Sequence, residues 1–374
     1  LPGRTKYDCI VIGAGIQGSF TAYHLAKHRK KTLLLEQFPL PHSRGSSHGQ
    51  TRIIRRAYAE HFYTDMMEEC YQLWAELEKE SGTQLYRKTG LLVLAKSGNE
   101  EYETVCKNMT EKQIPWENLS PAEMKVRYPG LFLSPGEVAC CDINGGVLYA
   151  DKALRAVQML FKQMGGVIRD GEKVMHIKPG PVVTVTTNSS IYEADGIVIT
   201  AGPWAQKVLR PLGLQLPLKT LRINVCYWRE KIPGKSGILQ SLPCFLGFNL
   251  NGEEHEVYGL PSQEYPGLIK QSRQALLLCL GQLMTPMGTM TLRRQLFLRI
   301  LFTNKNKPIH NTPDENFILD HHPLHKNIVI GAGFSGHGFK LSPVVGKILS
   351  ELCTGEKESY DLKPFRISRF KTPL

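Results

Sequence analysis

The chain has 374 residues, 42% of them hydrophobic and 21% charged, with a formal charge of +12 at pH 7. That length allows two structural units around buried cores, and no uncharged apolar run reaches the roughly 18 residues of a membrane-spanning helix. The cations are scattered rather than gathered on one helix and are not interleaved with aromatics, which favours a basic enzyme with anionic ligands over a nucleic-acid binder. The nine cysteines are odd in number and irregularly spaced, with only Cys140-Cys141 adjacent, as fits reduced intracellular thiols. The first residues lead straight into a strand pattern, with no apolar signal core.

Asp8-Cys9-Ile10-Val11-Ile12 is a short apolar run of the kind buried on both faces of a parallel sheet. Gly13-Ala14-Gly15-Ile16-Gln17-Gly18 follows at once, residues 19–28 read as a helix, and residues 31–36 form a second strand ending in Glu36. This is a β-α-β unit, whose crossover is nearly always right-handed. Residues 64–80 predict a long amphipathic helix, 90–95 a strand, and the polar stretch to Tyr128 a helix. Residues 151–165 predict a helix, 167–170 a strand, and 181–187 with 190–193 a hairpin. Residues 221–228 and 256–260 read as strands of a second, antiparallel sheet. Two further buried strands run into glycine, at 196–202 and 327–333, the latter followed by a helix over 344–351. No repeat of about 20 to 50 residues and no low-complexity linker interrupts the pattern.

The pattern predicts an α/β chain (an α+β composite). A Rossmann-like dinucleotide-binding domain is assembled from residues 1–85, 150–215 and 315–374. A mostly antiparallel β substrate domain, residues 86–149 and 216–314, is inserted between them.

In Gly13-x-Gly15-x-x-Gly18, the first glycine permits the tight turn, the second lets backbone approach a pyrophosphate, and the third lets helix and strand pack closely. The helix N-terminus offers unsatisfied N–H groups to phosphates, and Glu36 is placed to accept from a ribose. The fingerprint alone does not choose between NAD and FAD. The turns at Gly202 and Gly333 would return the middle and end of the chain to one ligand, which favours a tightly held flavin. The run from Ser43 and Arg44 to Arg56 mixes small residues with cations. Arg52 and Arg55 would lie about one turn apart if helical, and their planar forks suit a carboxylate or a reduced flavin ring, while Arg56 reads as solvated. A third cluster, Gly333-Phe334-Ser335-Gly336-His337-Gly338-Phe339-Lys340, is a glycine-dense turn ending in a cation. Here His337 reads as a satisfied core histidine.

The strings VIGAGIQGSFTAYHLAKH, PHSRGSSHGQTRIIRRAY, ITAGPW, LRINVCYWRE, NTPDENFILD, IGAGFSGHGFK and PFRISRF make the chain resemble the monomeric sarcosine oxidase family, and within it the peroxisomal sarcosine and L-pipecolate oxidases. The resemblance covers about residues 7–270 and 311–369 and implies a D-amino-acid-oxidase-like flavoprotein architecture. It implies FAD-dependent oxidation of secondary amino acids (sarcosine, L-pipecolate, L-proline): hydride passes to flavin N5, and dioxygen becomes hydrogen peroxide. By motif, Arg55 and Lys340 would hold the substrate carboxylate and Arg52 would lie beside the flavin ring. Tyr258 would wall the substrate pocket and Lys270 would serve the oxygen side. Gly202, Gly333, Gly336, Gly338 and Lys340 join Gly13, Gly15, Gly18, Glu36, Ser43, Arg44 and Arg52 as cofactor contacts. No metal is implied, and a monomer with a small amino-acid substrate and dioxygen as partners is expected.

The chain departs from the family between these motifs. Members carry a histidine four residues after the equivalent of Lys270, where this chain has Gln274. Their flavin-linking cysteine precedes the Asp-Glu-x-Phe-Ile motif, but none stands in the approach to Asp314-Glu315, and Cys279 is too far upstream. FAD is therefore expected to be non-covalent, and a catalytically impaired flavoprotein is the alternative function. From Tyr265 to Pro313 the chain has no acid but includes Lys270, Arg273, Arg293, Arg294, Arg299, Lys305 and Lys307. Residues 271–310 thus read as an altered segment replacing native strands. The terminal Thr372-Pro373-Leu374 does not match a Ser-Lys-Leu-type signal, so a peroxisomal location is expected from the resemblance alone, with the cytoplasm open.

Overall fold

In a computed structural model, the structure describes residues 5–129, 131, 133–223, 225–230, 241–250, 257–271, 284–286 and 307–370. The opening β-α-β unit is formed by strand Thr5–Ile12, helix Ile16–Lys27 and strand Thr32–Leu35. The helix begins three residues earlier than its hydrophobic pattern indicates, because Gly15 is already its extended N-cap and Gln17 and Gly18 belong to the first turn.

An eight-stranded sheet runs in the order Val174–Lys178, Val183–Thr187, Ile191–Ile199, Thr5–Ile12, Thr32–Leu35, Val167–Arg169. Strands His325–Ala332 and Ile318–His322 join it beside Ile191–Ile199. The hairpin arm at 190–193 and the buried strand at 196–202, separate in the sequence reading, prove to be one strand. Its first half pairs antiparallel with Val183–Thr187, and its second half lies parallel to His325–Ala332.

Period-two alternation explains the unbroken apolar runs of the central strands. Cys9, Val11, Leu34, Val198 and Val329 enter the core under the helices, while Ile10, Ile12, Leu33, Leu35, Ile197, Ile199, Ile328 and Ile330 enter the core on the other face. On the helical face, Ile16–Lys27 packs on the C-terminal helix Gly338–Thr354 so closely that a Cβ on Gly346 would come within 2.6 Å of Phe20 Cβ.

The second large sheet runs in the order Met284–Pro286, Cys226–Glu230, Ile269–Gln271, Val257–Pro261, Cys244–Phe248, Leu91–Lys96, Glu137–Asp142, Trp116–Leu119. All its pairings are antiparallel except Cys244–Phe248 beside Leu91–Lys96. The polar stretch read as one helix to Tyr128 is two helices, Glu100–Glu111 and Pro121–Arg127, with strand Trp116–Leu119 between them. Ser120 starts the second helix with a full capping box to Glu123, a local signal strong enough to break the run.

Strands Thr51–Ile54 and Tyr86–Lys88 flank Gly146–Tyr149 in a small third sheet, and Lys219–Ile223 pairs with Lys307–Asn311. Most of the segment read as altered, residues 272–283 and 287–306 with Cys279 among them, lies outside the described residues.

Candidate active site

The glycine turn is held by sterics that a side chain would violate. Gly13 has φ +103°, and a Cβ there would lie 2.5 Å from the Thr200 carbonyl oxygen. A Cβ on Gly18 would come within 1.9 Å of the Gly13 carbonyl oxygen, so the helix packs directly on the turn it follows. Glu36 is buried and closes the loop: one carboxylate oxygen accepts from Ala14 N–H at 3.0 Å, the other from Phe38 N–H at 3.1 Å. His42 Nε2 stands 3.4 Å from the same group. Gly202 (φ +49°) and Gly333 (φ +66°) turn the chain at the ends of their strands in the same left-handed region.

All three turns open on one cavity of about 1580 Å³. Gly13, Gly15, Glu36, Ser43 and Gly202 line it, as do Gly333, Gly336 and Gly338. The five side chains assigned by motif, Arg52, Arg55, Tyr258, Lys270 and Lys340, line the same space. Gly18 and Arg44 do not: Gly18 lies beneath the turn, and the Arg44 guanidinium stacks 4.7 Å from the Phe38 ring centre.

The cationic wall differs from its sequence reading. Arg52 is in strand Thr51–Ile54 and Arg55 follows it, so the two are not a helical pair. The strand forms because this β-branched stretch pairs residue for residue with Gly146–Tyr149. Arg52 donates to the carbonyls of Thr51, Ser46 and His48 at 2.7, 2.6 and 2.8 Å and lies 5.1 Å from the Phe339 ring centre. Burial lowers its pKa, against the pull of Tyr258 and Glu264, but an arginine so placed keeps its charge. Arg56 is not solvated. It is buried, ion-paired with Glu68 at 3.1 Å and 3.7 Å from the Tyr71 ring centre, because the strand end turns it inward where Asp142 also receives its N–H.

Arg55 and Lys340 meet at Tyr58. The Arg55 guanidinium covers the Tyr58 ring at 4.0 Å and donates to the Ala57 carbonyl. Lys340 is buried and donates to the Tyr58 hydroxyl at 2.9 Å and to the His337 carbonyl at 3.2 Å. Among the described residues Arg55 has no carboxylate partner. His337 is satisfied, with Nδ1 3.3 Å from the Tyr58 hydroxyl and Nε2 3.2 Å from the Glu315 carbonyl. Desolvation, then Lys340 and Arg55, hold its pKa well below the ordinary histidine value, so it is neutral. Tyr58 escaped the sequence reading, although it ends one of the strings that carry the resemblance.

Lys270 lies in strand Ile269–Gln271, opposite Leu260 on one side and Tyr227 on the other. Its ammonium reaches Glu264 at 2.5 Å and the Thr51 hydroxyl at 3.0 Å. Burial pushes the Glu264 carboxyl up, but the charge and hydrogen bond of Lys270 outweigh that and bring it to about 2. Glu264 was also missed, although it is the last acid before the acid-free stretch. Tyr258, in the neighbouring strand Val257–Pro261, remains 37% exposed.

The model of the FAD dependent oxidoreductase family matches residues 8–282 and 295–352. The peroxisomal sarcosine oxidase of Homo sapiens is 56% identical, over 98% of this chain and 97% of its own length. The monomeric sarcosine oxidase of Bacillus sp. (strain B-0618) is 34% identical, over 98% and 96%. Among solved structures, an L-proline dehydrogenase from P. horikoshii superposes with a TM-score of 0.78 at 21% identity, covering 98% of this chain and 99% of that one, a likeness of fold. The extent of the family match and the identity to relatives over nearly the whole chain place this protein in the monomeric sarcosine oxidase family of FAD-dependent oxidoreductases.

Proposed function

We propose that the chain oxidises secondary amino acids such as sarcosine, L-pipecolate and L-proline with FAD and dioxygen, and that its FAD is not covalently attached. The observation that carries this reading is the convergence of Arg55 and Lys340 on one tyrosine, inside the cavity on which the glycine turns open. Two cations from segments 285 residues apart, one lacking a carboxylate partner among the described residues, suit a small carboxylate.

The residues fit FAD. A cradle that excludes any Cβ at Gly13 lets backbone approach a pyrophosphate. Gln17 lines the cavity and ties the first helix to the last, its Nε2 donating to the Gly338 carbonyl at 2.8 Å. The helix Gly338–Thr354 begins at the cavity with no acid in its first turn, so its N-terminal dipole favours negative charge there. FAD when bound supplies the acceptor for the hydride of the carbon next to nitrogen and passes the electrons to dioxygen, giving hydrogen peroxide.

The chain's own residues then have separable tasks. Arg55 and Lys340 fix the carboxylate, and with it the carbon to be oxidised. Tyr258, Leu246, Phe248 and Leu260 give the amine end an apolar wall. Arg52, locked by three carbonyls, holds positive charge beside the ring, and Lys270 holds it where negative charge builds on dioxygen.

Sheet membership supports dividing the chain into an FAD-binding domain (1–85, 150–215, 315–374) and a substrate domain (86–149, 216–314). The first eight-stranded sheet takes no strand from the second set and the second takes none from the first, while the small third sheet joins the two where Thr51–Ile54 pairs with Gly146–Tyr149. The relatives named peroxisomal sarcosine oxidase support a peroxisomal location, with the cytoplasm as the alternative.

The test is an absorbance spectrum of the purified protein and anaerobic addition of L-pipecolate or sarcosine. Bleaching of a flavin band near about 450 nm, restored by air with peroxide formed, is the expected result. Acid precipitation should release the flavin into the supernatant. A band that does not bleach means an impaired flavoprotein, and flavin retained in the pellet means covalent attachment.

A further inference from the structure

We propose that Glu264 is the positioning residue of Lys270, a buried carboxylate clamp that fixes the lysine ammonium on Thr51 in the cavity wall. This rests on the reading of Lys270 as the cation that serves dioxygen.

The hairpin turn that carries Glu264 does not need a buried acid. It closes by itself, with Ser262 N–H donating to the Leu268 carbonyl at 2.9 Å, Tyr265 N–H to the Ser262 hydroxyl at 3.0 Å, and Gly267 at φ +82°. The Glu264 side chain accepts from the Ser262 hydroxyl at 3.4 Å within the turn, but its shorter bonds reach a strand more than 200 residues earlier. One oxygen accepts from Lys270 at 2.5 Å and from Gln50 N–H at 3.0 Å, and the other accepts from the Thr51 hydroxyl at 3.1 Å. That hydroxyl in turn accepts from Lys270 at 3.0 Å, which closes a three-membered ring of hydrogen bonds. The Lys270 and Glu264 side chains are only 8% and 9% exposed.

A buried ammonium without its counter-charge either loses its proton or swings toward water. A flexible four-carbon stem has no orientation of its own, and the ring of bonds supplies one. The clamp also ties the cation to Arg52, since Thr51 precedes Arg52 in its strand and Glu264 lies within electrostatic reach of the Arg52 guanidinium. Among the described residues, the other titratable groups around the clamp are Tyr227 and Tyr258 from the two flanking strands and Tyr265, edge-on to Tyr227 at 4.8 Å. Burial and then Glu264 keep Tyr227 protonated. Glu264 is therefore the carboxylate that sets the charge balance of this wall.

The experiment compares the flavin-loaded enzyme with Glu264→Gln, Glu264→Asp, Lys270→Met and the double variant Glu264→Gln/Lys270→Met. Anaerobic reduction by L-pipecolate and reoxidation by dioxygen are timed separately. Glu264→Gln should slow reoxidation at least about 10-fold and change reduction by less than about 3-fold. Its reoxidation should decline from a lower pH than in the parent, because the carboxylate that favours the charged ammonium is gone. Glu264→Asp should recover part of the rate, and in the Lys270→Met background Glu264→Gln should add less than about 2-fold.

A crystal structure of Glu264→Gln should show Lys270 Nζ beyond hydrogen-bond distance of Thr51. Reoxidation of Glu264→Gln at parental rate and pH profile, or an equal slowing with and without Lys270, overturns the proposal. If Glu264→Gln fails to hold flavin, Glu264→Asp decides, and a parental rate and profile there overturns it too. Parental reoxidation of Lys270→Met would instead sink the oxygen role of Lys270. The clamp would then stand or fall on whether Nζ leaves Thr51 in the crystal.

Discussion

The dinucleotide cradle and the cationic wall line the same cavity but are built on different physics. The cradle is backbone against backbone: Gly13, Gly18 and Thr200 touch at distances that leave no room for one more carbon. The wall is charge against dipole: Arg52 on three carbonyls, Lys340 on a phenol, Lys270 on a carboxylate and a hydroxyl. The cradle should therefore fail on any gain of volume, whereas the wall should tolerate volume and fail on a change of charge. A close-packed turn cannot relax around an added methyl, while a cation can be replaced by an apolar chain of similar size with the fold intact.

The largest expected effect is on the cradle. Gly18→Ala adds a Cβ at 1.9 Å from the Gly13 carbonyl oxygen and 2.5 Å from Thr200 Oγ1. Helix Ile16–Lys27 must then move off the turn, and the flavin-to-protein ratio of the purified variant should fall close to zero. A variant that keeps parental flavin content would mean that the cradle is softer than its contacts indicate.

Sequence reached these two regions unequally. The strand, turn, helix and acid of the first forty residues lie next to one another in the chain, so a local pattern carries them. The strands ending at Gly202 and Gly333 were legible because burial on both faces leaves an unbroken apolar run. The wall was legible only as a set of cations. Their geometry depends on strand Thr51–Ile54 pairing with Gly146–Tyr149 nearly a hundred residues later, which is why the spacing of Arg52 and Arg55 could be weighed only for a helix and why Arg56 reads as solvated. Tyr58 and Glu264 act through partners 282 and 213 residues away, and no local pattern marks such contacts.

Acid separates the regions next. His24, buried between Ile16–Lys27 and Gly338–Thr354, sits 2.9 Å from the Pro343 carbonyl, and desolvation lowers its pKa from 6.5 to about 4 despite that bond. The fold thus favours the neutral ring. Its contribution is complete above pH 6.5 and is lost as pH falls through about 4, a loss of about 3 kcal/mol. Glu264 is likewise depressed, from 4.5 to about 2, so its contribution is complete above pH 4.5 and fades toward pH 2. The helical face of the cradle should therefore weaken before the wall does. Urea unfolding of the flavin-loaded protein from pH 7 to 4 should show the decline, and His24→Gln should flatten it. An unchanged slope in that variant would assign the loss to other groups.

On the wall, removing charge should cost less and leave the fold and flavin intact. Arg55→Met and Lys340→Met each delete one charge-assisted hydrogen bond to the substrate carboxylate, about 1.5 to 3 kcal/mol, or roughly 10- to 100-fold in kcat/KM. Both cations share Tyr58, so their effects are coupled. With Arg55 gone, the guanidinium no longer covers the ring on whose hydroxyl Lys340 rests, and the double variant should lose less than the two single losses combined. An amine substrate without a carboxylate should be oxidised equally slowly by parent and variants, because the deleted contacts have nothing to bind. Full additivity would mean that Arg55 and Lys340 grip the carboxylate independently, and loss of flavin in either variant would mean that the wall, like the cradle, is part of what holds the cofactor.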